Sequence, residues 1–306
     1  MSKKSTWKFV PRFSLRWLLV FALLSSVVFG WFGSYYNRAK NEAQLLKEIA
    51  PLSPVATFDY QRVDPNATPP GPKFLLDWCG DNLFGSVESL IINYKSFKIE
   101  DEPFEKIGGF NHLKNLYLTG TSELKDISVV GELDTLRKLN MSYCGYAHDL
   151  SPILKIRKLE KLNLSLNGFK DHSCIGEIDT LKELSIGHPY GGFQDWTWLS
   201  KLENLEKLYL TSSRINRLPP LDKLKRLTVL DLNYCSRLES SLPVADLENL
   251  EELTIGRGAP LQILERIEDL KKLQRLRLNP YKDDQLSNSQ LEELKARIPN
   301  VTVSQY

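Results

Sequence analysis

Residues able to do acid–base or metal chemistry are few in this chain of 306 residues. Its four histidines are His112, His148, His172 and His188, and two adjoin a carboxylate, as His148–Asp149 and Asp171–His172. A carboxylate can orient an imidazole for general-base work or for metal ligation. Neither pair has a third ligand at metal-site spacing, and the two fall in different inter-strand loops, so solvated loop polarity is the expectation. The sequence contains no G-x-x-x-x-G-K, no G-x-G-x-x-G after a strand, no H-E-x-x-H and no C-x-x-C. Serines are plentiful, but none sits in a strand–elbow–helix context. The glycine clusters at 187–192 and 256–258 read as turns rather than phosphate loops. The sequence therefore points to no enzyme, no metal and no cofactor.

Composition narrows the class further. With 42% hydrophobic and 25% charged residues, wholesale disorder is excluded. A net charge of +2 speaks against a general nucleic-acid binder, which needs a basic excess or a basic face.

The dominant signal is internal repetition. An L-x-x-L-x-L pattern, allowing Ile, Val or Met, starts at Val87, Leu113, Leu136, Leu159, Leu181, Leu205, Leu227, Leu250, Leu273 and Ile298. Within it Leu162 and Leu164 alternate with Lys161, Asn163 and Ser165, a period of two that marks a strand with one buried face. One coil cannot bury its own leucines, so neighbours must stack. The chain resembles the leucine-rich-repeat family over 86–306. That resemblance implies an α/β solenoid of about ten coils, with a parallel concave sheet and short helical or 3₁₀ segments on the convex side.

The eighth position after the first leucine usually holds Asn or Cys in that family. Here it holds Thr121, Cys144, Asn167, Pro189, Ser213, Cys235, Gly258 and Tyr281, a partial match. Cys144 and Cys235 lie four coils apart, roughly 19 Å at ~4.8 Å per coil, beyond disulfide reach. Both are expected to be buried thiols, and Cys79 and Cys174 have no evident mate. Residues 55–84 are the expected N-terminal cap, with 55–63 alternating like a short strand. At the other end, Ser289 and Glu292 have capping-box spacing before Leu291, Leu294 and Ile298, and a final strand is expected at 301–303.

If the repeats bind a partner, the concave face is the default surface. Its central column reads Ile91, Tyr117, Asn140, Asn163, Ser185, Tyr209, Asp231, Thr254, Arg277 and Thr302. A small, polar column follows, then a position bearing Tyr94, Tyr143, His188, Tyr234 and Arg257. Tyr and Arg among small polar neighbours suit an adaptable protein-binding surface, although Tyr and Thr also simply suit exposed strands. The candidate contacts are Tyr117, Tyr143, Tyr209, Asp231, Tyr234 and Arg277. Only Asp231 is acidic in the central column and no acid–base partner lies beside it, which disfavours an enzymatic face. A spacer or envelope-organising module without a specific ligand is the remaining alternative.

Ahead of the repeats, residues 17–37 carry no charge, and 17–32 are almost wholly apolar. About 20 apolar residues at ~1.5 Å rise cross a ~30 Å hydrocarbon core, and Trp17 and Trp31 stand near its ends, where indoles favour the headgroup layer. Lys3, Lys4, Lys8, Arg12 and Arg16 precede the run, while Arg38, Lys40 and Lys47 follow it. That bias puts the N-terminus in the cytoplasm and the repeats outside it, in the periplasm. A cleaved signal peptide ending near Val28 or Gly30 is the alternative, though no A-x-A-like site follows the apolar run. The expected division is a basic tail at 1–16, an anchor at 17–36, a juxtamembrane helix at 37–50 with Ala43, Leu46, Ile49 and Ala50 on one face, a cap at 51–86 and repeats at 87–306. The anchor, the basic helix and PPGPKFLLDWCGDNLF before the repeats resemble membrane-anchored leucine-rich-repeat proteins of planctomycete bacteria. That group lacks an assigned activity, so the resemblance implies only an anchored repeat domain.

Overall fold

A computed structural model describes residues 15–93, 101–121, 124–144, 149–167, 169, 171–187, 195–211, 215, 217–235, 238, 242–256, 264–279 and 286–305. Lys3, Lys4, Lys8, Arg12, Tyr94, His148, His188, Pro189, Ser213, Arg257, Gly258 and Tyr281 lie outside the described residues.

One helix, α1 (Leu15–Glu48), runs through both the apolar stretch and the segment expected to form a second helix. Charge returns at Arg38, but no proline interrupts the backbone until Pro51, so the change of composition is not a change of structure. Over Leu19–Glu48 the helix is long and apolar enough to cross a membrane, by length and composition. Its second half docks on the repeats through Ala39 and Glu42, and Ile49 just beyond its end is buried with them. Ala43 and Ala50, expected on that face, are exposed instead. Glu42 occupies the face because its Oε2 accepts the Val87 N–H at 2.9 Å. Leu45 packs so closely on Gly109 that a Cβ there would lie 2.8 Å from Leu45 Cδ1.

The cap starts with a shorter strand than the alternation suggests. β1 (Val55–Phe58) gives way to a 3₁₀ turn over Asp59–Gln61. A seven-residue helix, α2 (Lys73–Cys79), follows, and α3 (Asp101–Glu105) lies between the first two coils. The repeat strands are β2 (Val87–Asn93), β3 (Asn115–Thr119), β4 (Lys138–Asn140), β5 (Lys161–Ser165), β6 (Glu183–Gly187), β7 (Lys207–Tyr209), β8 (Val229–Leu232), β9 (Glu252–Ile255), β10 (Arg275–Leu278) and β11 (Thr302–Gln305). Among the described residues, eleven strands form one sheet in sequence order. β1 joins β2 antiparallel, and the other pairs are parallel, as one strand per coil requires.

The two leucine rows do what their period predicts. Leu116, Leu139, Leu184 and Leu208 are fully buried, as are Leu118, Leu164 and Leu210 on the same strand face. Burying such a side chain contributes about 1.5–3 kcal/mol, and each is shared between neighbouring coils. Several return segments are 3₁₀ turns, among them Ser128–Glu132, Ser151–Lys155, Ser173–Glu177 and Thr197–Lys201. Each of these four is opened by an aspartate two residues ahead of its first residue. Asp126, Asp149, Asp171 and Asp195 accept the N–H of Ser128, Ser151, Ser173 and Thr197 at 2.7, 2.8, 2.7 and 2.8 Å.

The last coil differs. Its return is a true α-helix, α4 (Asn288–Arg297), capped by Ser287 with Gln290 in a capping box, two residues ahead of the expected Ser289 and Glu292. Leu294 and Ile298 are buried beneath it. An α-helix rises ~1.5 Å per residue against ~2.0 Å for a 3₁₀ turn, so covering the same distance takes more residues. The chain re-enters the sheet two residues late: Leu276 pairs with Val303 and Arg277 with Ser304. Ser304, not Thr302, therefore ends the central column.

Candidate functional site

The strand register aligns the outward side chains. Tyr117 pairs with Asn140, Asn140 with Asn163, Asn163 with Ser185, Ser185 with Tyr209, Tyr209 with Asp231, Asp231 with Thr254 and Thr254 with Arg277. At ~4.8 Å per strand, Tyr209 is beside Asp231, whereas Tyr117 is four strands and roughly 19 Å from Tyr209. The six candidate contacts thus divide. Tyr209, Asp231, Tyr234 and Arg277 share one end of the sheet, and Tyr117 and Tyr143 lie on neighbouring coils nearer the cap.

Much of the column's polarity serves the backbone. Asn140, Asn163 and Asp231 each accept, through Oδ1, the N–H of the residue two positions on, at 2.9, 2.9 and 2.8 Å. These bonds close each strand's end. Burial pushes the Asp231 carboxyl above its ordinary value, against the opposing pull of the Asn233 N–H and the Arg277 guanidinium. Tyr209 is raised as well, by burial first and then by Glu183, Asp231 and Glu252, with Lys161 opposing. Arg277 Nη2 lies 3.7 Å from Glu252 Oε2, and Arg275 also pairs with Glu252. Near the cap, Lys138 Nζ sits 5.1 Å from the centre of the Tyr117 ring, a cation–π contact.

Tyr143 and Tyr234 occupy a different kind of position. Each is the seventh residue after the first leucine of its coil, where the chain leaves the strand in the left-handed region. Gly120, Tyr143, Leu166 and Tyr234 hold φ of 75°, 61°, 61° and 62° at this equivalent corner. Glycine takes that conformation without strain, and a bulky residue does not. Tyr143 is 56% exposed and Tyr234 42% exposed, so much of each ring faces solvent.

Along the strand starts, charges of both signs alternate across coils. Arg137 meets Glu160 at 2.6 Å, Lys161 meets Glu183 at 2.7 Å, and Lys182 reaches Glu160 at 3.5 Å. Exposed pairs of this kind contribute about 0–1 kcal/mol each. They fix no large basic field among the described residues. At the cap, Glu88 is buried and takes both Arg62 and Lys114, the latter at 2.9 Å. These residues border a cleft of about 670 Å³ between the cap and the first coils.

The two aspartates that adjoin histidines in the sequence serve the backbone. Asp149 and Asp171 are the capping aspartates described above, and His172 is buried edge-on to Phe169 at 5.8 Å between ring centres. Among the described residues, no three His, Cys, Asp or Glu side chains group closely enough to hold a metal ion. The repeating D-x-[ST] spacing was visible in the sequence and explains both aspartates.

A solved leucine-rich-repeat protein of Leptospira interrogans is similar to this chain at 22% identity and a TM-score of 0.53, over 71% of this chain and 60% of its own length. The fold is a leucine-rich-repeat solenoid. An internalin of Listeria monocytogenes is also similar, at 15% identity and a TM-score of 0.36, over 70% of this chain and 85% of that one. An internalin C2 of the same species follows at 16% and 0.35, over 72% and 81%. This chain thus spans about 60% of the length of the Leptospira protein. No protein-family model matches the sequence, and no curated protein does.

Inside the leucine-rich-repeat coils, the eighth-position residues form a stacked ladder. Thr121, Cys144 and Asn167 are buried in successive coils, and Cys235 is buried further along. Cys144 Sγ donates to Leu118 O at 2.7 Å, Asn167 Nδ2 to Met141 O at 2.6 Å, and Cys235 Sγ to Leu210 O at 2.9 Å. In every case the acceptor is the fifth-position carbonyl of the preceding coil, so a thiol and an amide do one job. Burial pushes the Cys144 thiol up to about 11 and the Cys174 thiol likewise to about 11. Both stay protonated at neutral pH and are poor nucleophiles.

Proposed function

We propose that this protein is a single-pass membrane protein whose leucine-rich-repeat domain, on the periplasmic side, binds a protein partner through its concave sheet face. In this reading residues 1–16 are cytoplasmic, 17–36 cross the membrane, 37–50 continue the helix, 51–86 cap the stack and 87–306 form the recognition domain. The reading includes no enzymatic activity, no cofactor and no nucleic acid.

The observation that carries the binding role is the conformation of Tyr143 and Tyr234. Two large, exposed aromatics hold a backbone geometry that Gly120 satisfies at the equivalent corner. Retained strain of this sort at an exposed residue is expected where the side chain has work to do, and rigid aromatics are the usual anchors of protein recognition. Tyr209 and Arg277 extend the same surface. The spacer alternative is favoured by Asn140, Asn163 and Asp231, whose polar atoms are spent on their own backbone.

The address is supported by the apolar length of α1 and by the basic residues that precede it. Fractionation of a C-terminally tagged protein, with protease added to cells whose outer envelope is permeabilised, tests it. The repeats are expected to be digested while the protein stays with the membrane fraction. Digestion only after inner-membrane lysis overturns export, and release of the repeats in a soluble form overturns the retained anchor.

A further inference from the structure

Helix α2 is an apolar helix that leaves two of its aromatic rings facing outward. Among its seven residues are Phe74, Leu75, Leu76 and Trp78, and none of the seven is buried. Phe74 is 70% exposed and Trp78 81% exposed. A water-facing helix of this composition at the end of a soluble cap would be an uncovered apolar patch, which soluble surfaces avoid.

The place of α2 along α1 says what covers it. Leu75 and Trp78 line an apolar groove of about 670 Å³ whose other wall is Val28, Phe29, Trp31 and Phe32 of α1. Those four residues lie inside the uncharged run, four to eight positions before its last apolar residue, Tyr36. At ~1.5 Å per residue, α2 therefore stands about 6–12 Å below the end of that run. The two elements are not free to part. Phe84 packs near Trp31 and Tyr35 with its ring tilted to both, the ring centres 6.3 and 5.8 Å apart. Arg38 Nη2 donates to Gly85 O at 3.2 Å, and Val87 N donates to Glu42. Contacts thus run from Trp31 to Ile49, and the cap is carried at a set height on the helix.

We infer that α2 is a second membrane element, an interfacial helix that lays Phe74 and Trp78 into the outer-leaflet boundary of the same bilayer that α1 crosses. This rests on the reading of α1 as a retained anchor. Trp and Phe suit that boundary, where an apolar ring meets the headgroups. Lys73 and Asp77 supply the polar side of the short helix, and the groove between α2 and α1 accepts an acyl chain. The consequence is orientation. A single span would let the coil stack swivel, whereas two membrane contacts on one rigid cap hold the concave face at a set attitude to the membrane.

Depth-dependent quenching tests this on the full chain reconstituted in phosphatidylcholine vesicles, with bromine placed either high in the acyl chains or near the bilayer centre. Trp78 emission is read as the difference between wild type and Trp78→Phe, and Trp31 emission as the difference from Trp31→Phe. Trp78 is expected to be quenched about twofold or more by the shallow bromines, and less by the deep ones. If Trp31 is quenched and the protein resists carbonate extraction but Trp78 is not quenched, the anchor stands and the interfacial helix is wrong. If neither is quenched and the protein is extracted, the anchor itself fails. A chain that is anchored, unquenched at Trp78 and dimeric by light scattering assigns the patch to a second copy and overturns the lipid assignment. Phe74→Ser/Trp78→Ser, expected to remain carbonate-resistant, separates loss of the interfacial contact from loss of folding.

Discussion

Asn167 clasps the coil before its own: its Oδ1 accepts the Cys144 N–H while its Nδ2 donates to Met141 O. Both partners are buried with it. Replacing the amide by alanine leaves a donor and an acceptor without partners in the interior, each costing about 1–3 kcal/mol. Asn167→Ala is expected to destabilise the repeat domain by about 2–5 kcal/mol in urea unfolding. In a stack whose stability is carried by neighbouring interfaces, the loss should fall on the coils around β4 and β5 first. Hydrogen exchange that loosens evenly along the whole domain would contradict this.

Glu88 ties the cap to the first coils through Arg62 and Lys114. Burial raises its carboxyl, but the hydrogen bonds from Arg62 and Lys114 outweigh burial and leave it below the ordinary value of 4.5. A depressed native value contributes stability that is present above the unfolded pKa and is lost as pH falls through the folded one. Glu88→Gln should therefore cost about 1–3 kcal/mol at neutral pH and less as pH drops below the ordinary carboxylate range. Thermal unfolding of both proteins across acid pH reads this directly. A cost that grows on acidification would show that the pair is not what matters.

Asp231 behaves in the opposite sense. Its raised native value means that the folded chain holds the proton more tightly than the unfolded one, so its contribution declines as pH rises from 3.8 through the folded value. Asn140 and Asn163 make the same turn-closing bond with a neutral amide. Asp231→Asn should thus match wild type within about 1 kcal/mol or exceed it at neutral pH, whereas Asp231→Ala loses about 1 kcal/mol. A clear loss with Asn would mean that the charge itself is needed for folding.

How far these features were legible in the sequence differs element by element. The leucine rows, the parallel register from Ile91 to Arg277 and the buried eighth position follow from a period of two inside a period near 23, because each residue there answers to its nearest coil. The register of β11 does not follow, since it depends on whether the last return is a 3₁₀ turn or an α-helix. Apolarity alone points to Ala43 and Ala50 on the docking face of α1, whereas Glu42 sits there for its bond to Val87. The D-x-[ST] caps were present as spacing but masked by the histidines beside two of them. The left-handed corner was invisible at Tyr143 and Tyr234, because tyrosine does not announce that backbone conformation as Gly120 does. For the same reason, residue type alone could nominate the candidate contacts but not say which were bound to their own backbone.

The central claim is that exposed tyrosines at strained corners are kept for a partner. Tyr143→Gly/Tyr234→Gly separates that role from folding, because glycine relieves the corner while removing the ring. Crosslinking in intact envelope, quantified for wild type and this variant alongside unfolding of the purified proteins, is the direct measurement. The account predicts stability within about 1 kcal/mol of wild type together with loss of a discrete crosslinked partner, about tenfold or more for two aromatic anchors. An unchanged crosslinking profile with unchanged stability would contradict it.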